Sequence, residues 1–450
     1  MTTTSHARRR VAAATLAAAV GLTLAACSPG GSDGDAGGGD ASAEALDAAL
    51  EEGGELTYWT WTPAGEAQAE AFMAEHPNVT VEVVNAGTAT DQYTTLQNAI
   101  QAGSGAPDVA QIEYYAIQQF SLTDGLLDLT PYGFGDLEDD YTASTWESVS
   151  QGGGIFGLPQ DSGPLVMLYN AAVFEKFGLD VPATWDEYVA AGEALHAADP
   201  SRYITSDGGD PGFAQPLIWQ AGGRPYQVEG DTVTVDLQDE GTQRWADMWN
   251  QLLQPGLLSD VPTWSDDWYR SLNDGSIATI ITGAWMPGMM EASVPDGAGD
   301  WQVAPVPSYD GATETAENGG SAQSVIKQTD SPALAAAFLR WLNNGDGVEV
   351  FLEGGGFPAT TADLNDEEFL AWAPEYFRGQ EVNKVLVEAS DNVASGWQYL
   401  PFQVYANSIF GDTVGSSYTS DADLNLGLTD WQQSIVSYGN EQGFTVEEGN

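Results

Sequence analysis

The sequence has little positive charge. Its 450 residues include 12 lysines and arginines against 66 aspartates and glutamates, a formal net charge of −54 at pH 7. A surface of that sign repels nucleic acid, because binding to phosphates depends on lysine and arginine side chains that displace counterions. Nucleic-acid binding is therefore excluded. The acidic excess is more typical of a solubility device outside the cell, or of adaptation to salt, than of a ligand site.

Cysteine and histidine are also scarce. Cys27 is the only cysteine, so no internal disulfide can form and the residue is either a reactive thiol or a modified one. The three histidines are His6, His76 and His196, of which the last two lie near predicted helix ends among polar residues. No nucleophilic triad or zinc site can be assembled from them, and we expect neither a metal nor a cofactor.

The N-terminus carries a processing pattern instead of a membrane span. The uncharged run from Val11 to Ala26 is dominated by alanine and falls short of the about 20 strongly apolar residues that a spanning helix needs. With Arg8, Arg9 and Arg10 before it, the run indicates a signal peptide over residues 1–26. It ends in Leu-Ala-Ala-Cys27, which resembles the bacterial lipobox, whose cysteine is diacylated and becomes the new N-terminus. We therefore expect lipidation at Cys27, a flexible tether rich in Gly, Ser, Ala and Asp over residues 27–53, and attachment to the outer face of the cell membrane.

The rest of the chain alternates strands with helices. Roughly 400 residues remain, which suggests two compact units. Strand patterns near residues 55–60, 79–83 and 108–112 are separated by helical stretches that stop at Pro77 and Gly103. This order predicts an α/β fold with a parallel sheet and helices on both faces.

The pattern restarts after Asp161. A buried strand over residues 165–169 is followed by a capping box, Thr184 to Glu187, that opens a helix, and a β-rich run follows at residues 277–281. Ligands of open α/β sheets bind beyond the carboxyl ends of the strands. The loops at Trp59–Trp61, Glu113–Tyr114 and Trp285 are therefore where a site is expected.

Four stretches of the sequence resemble the extracellular sugar-binding proteins of bacterial ABC importers, the family of maltose-binding protein. Their order and spacing agree with that family over nearly the whole chain after Cys27. They are Gly105-Ala106-Pro107-Asp108-Val109, Gly157-Leu158-Pro159-Gln160-Asp161 with Leu168-Tyr169-Asn170, Gly275 to Trp285, and Gly319-Gly320-Ser321 before Lys327.

The resemblance implies the two-lobed periplasmic-binding-protein fold, with parallel-rich sheets and a sugar bound in a cleft that closes around it. By this analogy lobe one spans residues 54–162 and 306–345, and lobe two spans residues 163–305 and 346–450. The chain should cross between lobes near Pro159–Ser162, Pro305–Pro307 and Leu342–Gly347. The implied partners are a sugar or oligosaccharide and the permease subunits of an importer, for a receptor that is a monomer and not an enzyme.

A pyranose has an apolar face of C–H bonds and a belt of hydroxyls, so its pocket needs flat aromatic rings and short polar side chains. Trp285 matches the family's stacking tryptophan. Trp59 and Trp61 flank the end of the first strand, where we expect only one of them to face the cleft, and we favour Trp61. The resemblance places Glu113 and Asp161 as hydroxyl acceptors. The further candidates, from neighbouring motif or loop positions, are Tyr114, Gly320, Ser321, Trp219, Trp264 and Trp397.

Each candidate has a structural alternative. The sequence holds 15 tryptophans, and an arbitrary one is more often part of the core than of a site. Glu113 and Asp161 are two of 66 acids, so either could be an ordinary solvated carboxylate.

Two other functions fit parts of the pattern. A secreted glycoside hydrolase would also carry many aromatic residues and carboxylates, with two of the latter across a scissile bond. The lipobox and the two-lobe pattern count against it, and a reducing-sugar assay would distinguish the two. A calcium-binding surface adhesin would need Asp-x-Asp spacing followed by Gly and a distant Glu, which the sequence lacks.

Replacing Cys27 with serine tests the expected anchor. A single acyl chain holds a protein only marginally at a membrane, whereas a diacylated cysteine holds it stably. The Cys27→Ser variant should therefore appear in the culture medium while the native protein sediments with membranes. Intact-mass measurement of the native protein is the control, and an unmodified cysteine there contradicts lipidation.

Overall fold

The computed structural model describes residues 38–420 and 422–449. The predicted signal peptide, Cys27 and the first part of the predicted tether lie outside these residues. The strands are β1 (Gly54–Trp59), β2 (Val79–Val84), β3 (Val109–Glu113), β4 (Ser150–Gln151), β5 (Gly154–Ile155), β6 (Leu158–Pro159), β7 (Leu165–Asn170), β8 (Thr205–Ser206), β9 (Tyr226–Glu229), β10 (Thr232–Val235), β11 (Leu258–Ser259), β12 (Thr279–Gly283), β13 (Trp301–Pro305), β14 (Ser321–Val325) and β15 (Thr445–Glu448).

Helices separate and cover these strands. They are α1 (Gly38–Glu52), α2 (Gly65–Glu75), α3 (Thr90–Ala102), α4 (Tyr114–Leu122), α5 (Ala143–Val149), α6 (Ala171–Phe177), α7 (Trp185–Ala198), α8 (Pro211–Gln220), α9 (Glu240–Leu253), α10 (Asp266–Asn273), α11 (Met286–Ser293), α12 (Pro332–Asn344), α13 (Gly347–Glu353), α14 (Thr361–Leu364), α15 (Glu367–Leu370), α16 (Val382–Asp391), α17 (Gln403–Ser408), α18 (Gly415–Ser420) and α19 (Leu424–Glu441). None of the helices in the described part of the chain is long and apolar enough to cross a membrane.

Lobe one is built around a five-stranded sheet in the order β2-β1-β3-β14-β6. β1 pairs parallel with β2 and with β3, as the strand-helix alternation predicts, whereas β14 runs antiparallel to β3. In β2, Val79 and Val81 are buried and alternate with exposed Thr80 and Glu82, which fixes the face of the strand that meets the core. The carboxyl end of β3 leads directly into α4, so Glu113 lies at the edge where the chain leaves the sheet.

The predicted tether is wrong from residue 38 onward, because α1 occupies Gly38–Glu52. Leu46 is only 4% exposed and belongs to the core of lobe one, and Ala49 and Leu50 pack against that core. These three residues follow helical spacing within a stretch of Ala, Glu and Leu, which are strong helix formers. The glycine-rich composition of the segment as a whole favoured a flexible tether, and the three apolar residues at helical spacing were too few to change that prediction.

Lobe two is held by two clusters of buried residues, one around Trp185, Trp245 and Trp249 and one around Trp268 and Trp301. The predicted capping box is confirmed at the start of α7, where Thr184 accepts a hydrogen bond from the backbone of Glu187 and the Glu187 carboxylate accepts one in return. The central strands run in the order β12-β7-β13, and both pairings are antiparallel. The prediction of parallel-rich sheets therefore holds for the first strands of lobe one and not for this sheet.

The chain returns to lobe one later than predicted. After Pro305, Val306 and Ala316 still pack in the core of lobe two, and Ala322 is the next residue of the lobe-one core. The backbone N–H of Ser308 donates to the Ala183 carbonyl at 3.0 Å, which keeps this segment on lobe two. The predicted crossing at Pro305–Pro307 is therefore too early, and the change of lobe falls between Ala316 and Ala322.

The third boundary, predicted at residue 346, is also too early. Helix α13 packs against α2 and α12 and so stays with lobe one. Phe357 then joins the core of lobe two, although Ala359 still belongs to that of lobe one. The glycines at residues 354–356 lie between α13 and this exchange.

Candidate functional site

A cavity of about 990 Å³ lies where elements of both lobes meet. Such a volume is at the upper end of the range for small-molecule sites. Lobe one contributes the loop after β1 and the β3–α4 junction, and lobe two contributes the loops before α8, α10 and α11. Of the predicted site residues, those that line the cavity are Trp61, Glu113, Tyr114, Asp161, Trp264, Trp285, Gly320 and Ser321.

Three predicted tryptophans lie elsewhere. Trp59 is 8% exposed and belongs to the core of lobe one instead of lining the cavity. Trp219 and Trp397 stack on each other, with ring centroids 5.2 Å apart and an interplanar angle of 5°. The Trp219 ring N–H donates to the Ala394 carbonyl at 2.6 Å, and both rings pack with the core of lobe two. Their surroundings of Gly, Pro and Ser suggested a loop site, but those residues connect elements around a buried aromatic pair.

Glu113 ends β3 and meets the cavity from lobe one. The Tyr93 hydroxyl donates to its Oε2 at 3.0 Å, and the same hydroxyl accepts from the Glu113 backbone N–H at 2.8 Å. Burial raises the pKa of the Glu113 carboxyl to about 7, because the charged form loses its hydration. The pair of hydrogen bonds holds the carboxylate at the carboxyl end of the sheet.

Asp161 ties the first crossing segment to the start of β14. Its Oδ1 accepts from the Ser321 backbone N–H at 2.8 Å and from the Ser321 hydroxyl at 3.0 Å. Its carbonyl accepts from the Tyr114 hydroxyl at 2.6 Å. Gly320 has a φ of 92°, and a Cβ there would lie 2.6 Å from the Tyr114 ring, so the turn requires glycine. Burial raises the pKa of Asp161 to about 6.

Gln111 positions Trp61 and was not predicted. Its Oε1 accepts from the Thr60 hydroxyl at 2.7 Å and from the Trp61 backbone N–H at 3.1 Å, and its Nε2 donates to the Ser321 hydroxyl at 2.9 Å. The side chain thus joins β3, the loop after β1 and β14 in one network. A buried glutamine inside an apolar strand was the available signal, since a buried amide needs partners.

Aromatic rings form the wall of lobe two. Trp285 immediately precedes α11, and its ring N–H donates to the Asn318 carbonyl at 2.8 Å. The ring of Trp264 lies 5.7 Å from that of Trp285, and Trp268 lies 5.1 Å beyond Trp264. Trp264 is 48% exposed, so an aromatic surface faces the cavity with its rim open to solvent. A Cβ on Gly283 would lie 2.3 Å from the Trp285 ring nitrogen, which makes glycine necessary beside this ring.

Sequence reasoning missed the acids on this wall. Asp207 accepts from the Gly209 backbone N–H and from the Trp249 ring N–H, both at 2.9 Å, and burial raises its pKa to about 6. Asp210 caps α8 through a 2.8 Å bond from the Gly212 backbone N–H. An Asp directly before Pro211 is a helix-start signal, but only the tertiary structure brings the pair to the cavity.

Glu317 also lines the cavity, on the segment that returns to lobe one. Its carboxylate accepts from the Ser144 hydroxyl at 2.8 Å, the Ser162 hydroxyl at 3.0 Å and the Gly163 backbone N–H at 2.6 Å. Burial raises its pKa. The residue connects both crossing segments with α5. Within the described residues, no group of three or more His, Cys, Asp or Glu side chains could hold a metal ion.

Comparison with known proteins defines the class. Residues 58–349 match the family model for bacterial extracellular solute-binding proteins. A solved ABC-transporter-associated binding protein from B. animalis subsp. lactis, in complex with β-1,6-galactobiose, is 41% identical, with a TM-score of 0.82 over 88% of this chain and 99% of that one. The galacto-N-biose/lacto-N-biose I-binding protein of Bifidobacterium longum, in complex with lacto-N-biose, is 28% identical. Its TM-score is 0.77, and the match covers 88% of this chain and 99% of that one.

Among the curated relatives, an arabinooligosaccharide-binding protein of Halalkalibacterium halodurans is 26% identical over 80% of this chain and 84% of its own length. The chain belongs to the bacterial extracellular solute-binding protein family, and the two-lobed fold expected from the sequence is confirmed. It is a sugar-binding receptor of an ABC importer. The glycoside hydrolase alternative receives no support from these comparisons.

The raised pKa values predict that sugar binding releases protons. Near pH 6.5 the carboxyls of Glu113, Asp161 and Asp207 are partly protonated, since burial raises their pKa values to about 7, 6 and 6. A sugar hydroxyl donates to the ionised form and stabilises it, which lowers the pKa and expels the proton. Affinity should therefore rise from about pH 5.5 to 7.5.

Titration calorimetry at pH 6.5 in buffers of different ionisation enthalpy measures this release directly. The Glu113→Gln variant is the control, because its amide cannot release a proton and the buffer dependence should shrink. An observed enthalpy that is the same in every buffer contradicts the assignment of these carboxyls to the ligand.

Proposed function

We propose that this receptor captures a galactose-containing disaccharide or short oligosaccharide and delivers it to the permease of an ABC importer without chemical change. The observation that carries the proposal is the composition of the cavity, with Trp61, Glu113 and Asp161 on one wall and Trp264 and Trp285 on the other. The choice of galactoside is supported by the 41%- and 28%-identical neighbours, whose complexes contain β-1,6-galactobiose and lacto-N-biose.

The proposed contacts follow from the chemistry of a pyranose. Its C–H face stacks on the Trp285 ring, whose orientation the bond to Asn318 fixes. Its hydroxyls donate to Glu113 and Asp161, and these bonds to charged acceptors are stronger than bonds between neutral groups. The cavity of about 990 Å³ has room for more than one sugar ring, and Trp264 extends the aromatic surface towards the rim.

Closure of the lobes is the proposed signal of loading. A ligand that contacts Trp61 and Glu113 on lobe one and Trp285 on lobe two favours the state in which both walls touch it. The crossing segments join the lobes and can absorb the rotation. We further propose that the receptor is a monomer anchored at the outer face of the membrane through Cys27, where the permease meets it.

Removing the indole of Trp285 should abolish or severely weaken sugar binding. A central aromatic contact costs about 2 kcal/mol or more on truncation, roughly thirtyfold in affinity. Calorimetry with β-1,6-galactobiose compares Trp285→Ala with the native protein, and thermal unfolding establishes that the variant folds. Trp341→Ala is the matched control, because Trp341 packs on α2 and donates to Glu75 away from the cavity.

Retained affinity in a folded Trp285→Ala protein contradicts the stacking role, and a large loss of stability with normal affinity identifies a core tryptophan. Failure of galactobiose to bind the native protein contradicts the choice of ligand. The same samples serve for a reducing-sugar assay, in which we expect no hydrolysis.

A further inference from the structure

We infer that the cleft accepts only glycans that donate hydrogen bonds and carry no negative charge, so it takes uncharged and amino sugars and rejects uronic acids and sulfated or phosphorylated sugars. This inference rests on the proposed function and specifies the ligand class of the same site. It is carried by the charges on the cavity wall and by how the hydrogen-bond donors there are already used.

Charge of one sign surrounds the cavity. Five carboxylates line it, and none of its described lining residues is a lysine, arginine or histidine. The acids come from both lobes: Glu113 and Asp161 from lobe one, Asp207 and Asp210 from lobe two, and Glu317 from the segment between them. A bound anion would therefore face carboxylates on either side without a compensating cation.

Several side-chain donors on the same walls already bond to protein acceptors. The amide of Gln111 donates to the Ser321 hydroxyl at 2.9 Å, and that of Asn318 donates to the Gly212 carbonyl at 2.8 Å. Further ring, hydroxyl and amide donors that already bond to protein are Trp268, Trp285, Tyr114 and Gln160. A ligand that offers only acceptors could use these particular donors only by breaking their bonds to protein.

The side chain of Gln215 also has no hydrogen-bond donor to spare. Gln215 is 5% exposed and lines the cavity beside Asp210. Its Nε2 donates to the Pro211 carbonyl at 3.1 Å and to Asn407 Oδ1 at 2.8 Å, while its Oε1 has no partner among the described residues. Both amide hydrogens of Gln215 are thus used within the protein, so this residue offers no donor to a bound anion.

The carboxylates without a cation among the described lining residues and the donors already bonded to protein together exclude anionic sugars. Water is displaced when a sugar fills the cleft, so repulsion between its carboxylate and those of the walls is screened less than in bulk solvent. The chain's formal charge of −54 adds a long-range field of the same sign. A hydroxyl or an ammonium group meets the opposite situation, since each donates to the carboxylates.

Four forms of β-1,6-galactobiose test the inference by calorimetry at pH 7.5. They differ only at C6 of the non-reducing ring, which carries a hydroxyl, a carboxylate, a carboxamide or an ammonium group. The carboxamide matches the shape of the carboxylate, so the pair isolates charge from size. We expect the carboxylate to bind at least thirtyfold more weakly than the carboxamide, and the amine to bind no more weakly than the parent sugar.

Two variants assign the effect to the walls. Glu113→Gln removes one negative charge from lobe one, and Asp207→Asn removes one from lobe two. In each variant the carboxamide's advantage in affinity over the carboxylate should shrink several-fold. A carboxylate that binds within about threefold of the carboxamide in the native protein overturns the inference.

A parallel thermal-shift panel separates this result from the proposed function. It contains the parent galactobiose, arabinobiose, maltose and digalacturonate. Stabilisation by arabinobiose or maltose alone contradicts the proposal that the ligand is a galactoside, but it supports the exclusion of anionic sugars. Stabilisation by digalacturonate overturns the exclusion itself, and stabilisation by none contradicts the proposed function and the inference together.

Discussion

Burial of carboxylates without cations is the constraint on which the site depends. An ionised acid that loses water must find hydrogen-bond donors or take up a proton. The Tyr93 hydroxyl donates to the Glu113 carboxylate, and the backbone N–H and hydroxyl of Ser321 donate to that of Asp161. The pKa values of both acids nevertheless remain raised. These two carboxyls therefore keep part of the cost of burial, and the hydroxyls of a polyol are further donors that could reduce it. We propose that this remaining cost is what makes a hydroxyl-rich ligand favourable at the site.

The same acids link the site to the joints between lobes. Asp161 lies on the first crossing segment and binds the start of β14, and Glu317 lies on the second and binds Ser144 and Ser162. A contact made by the ligand at Asp161 is thus one residue from the bonds that fix the crossing. We propose that these hydrogen bonds couple binding to lobe geometry, since a ligand shifts the lobes only by its preference for the closed arrangement.

The sequence was sufficient for residues whose role is set locally. Trp61 and Glu113 lie at the carboxyl ends of neighbouring strands of the lobe-one sheet, which meet at one edge, and Trp285 follows a predicted strand of the lobe-two sheet. It was insufficient where tertiary packing decides, as with Asp207, which reaches the cavity only because β8 lies beside β11, and with the Trp219–Trp397 pair, buried despite its polar neighbours. The position of the second crossing between lobes was mispredicted for the same reason. β13 ends at Pro305, but the residues after it continue to pack against the core of lobe two.

We propose that one sugar contacts both walls of the cleft and draws the two lobes together. Small-angle X-ray scattering on the protein, with and without saturating β-1,6-galactobiose, measures this most directly. We expect a smaller radius of gyration with the sugar and no change with an equal concentration of digalacturonate. A radius of gyration that stays the same at saturation, established by calorimetry on the same sample, would contradict bridging and closure.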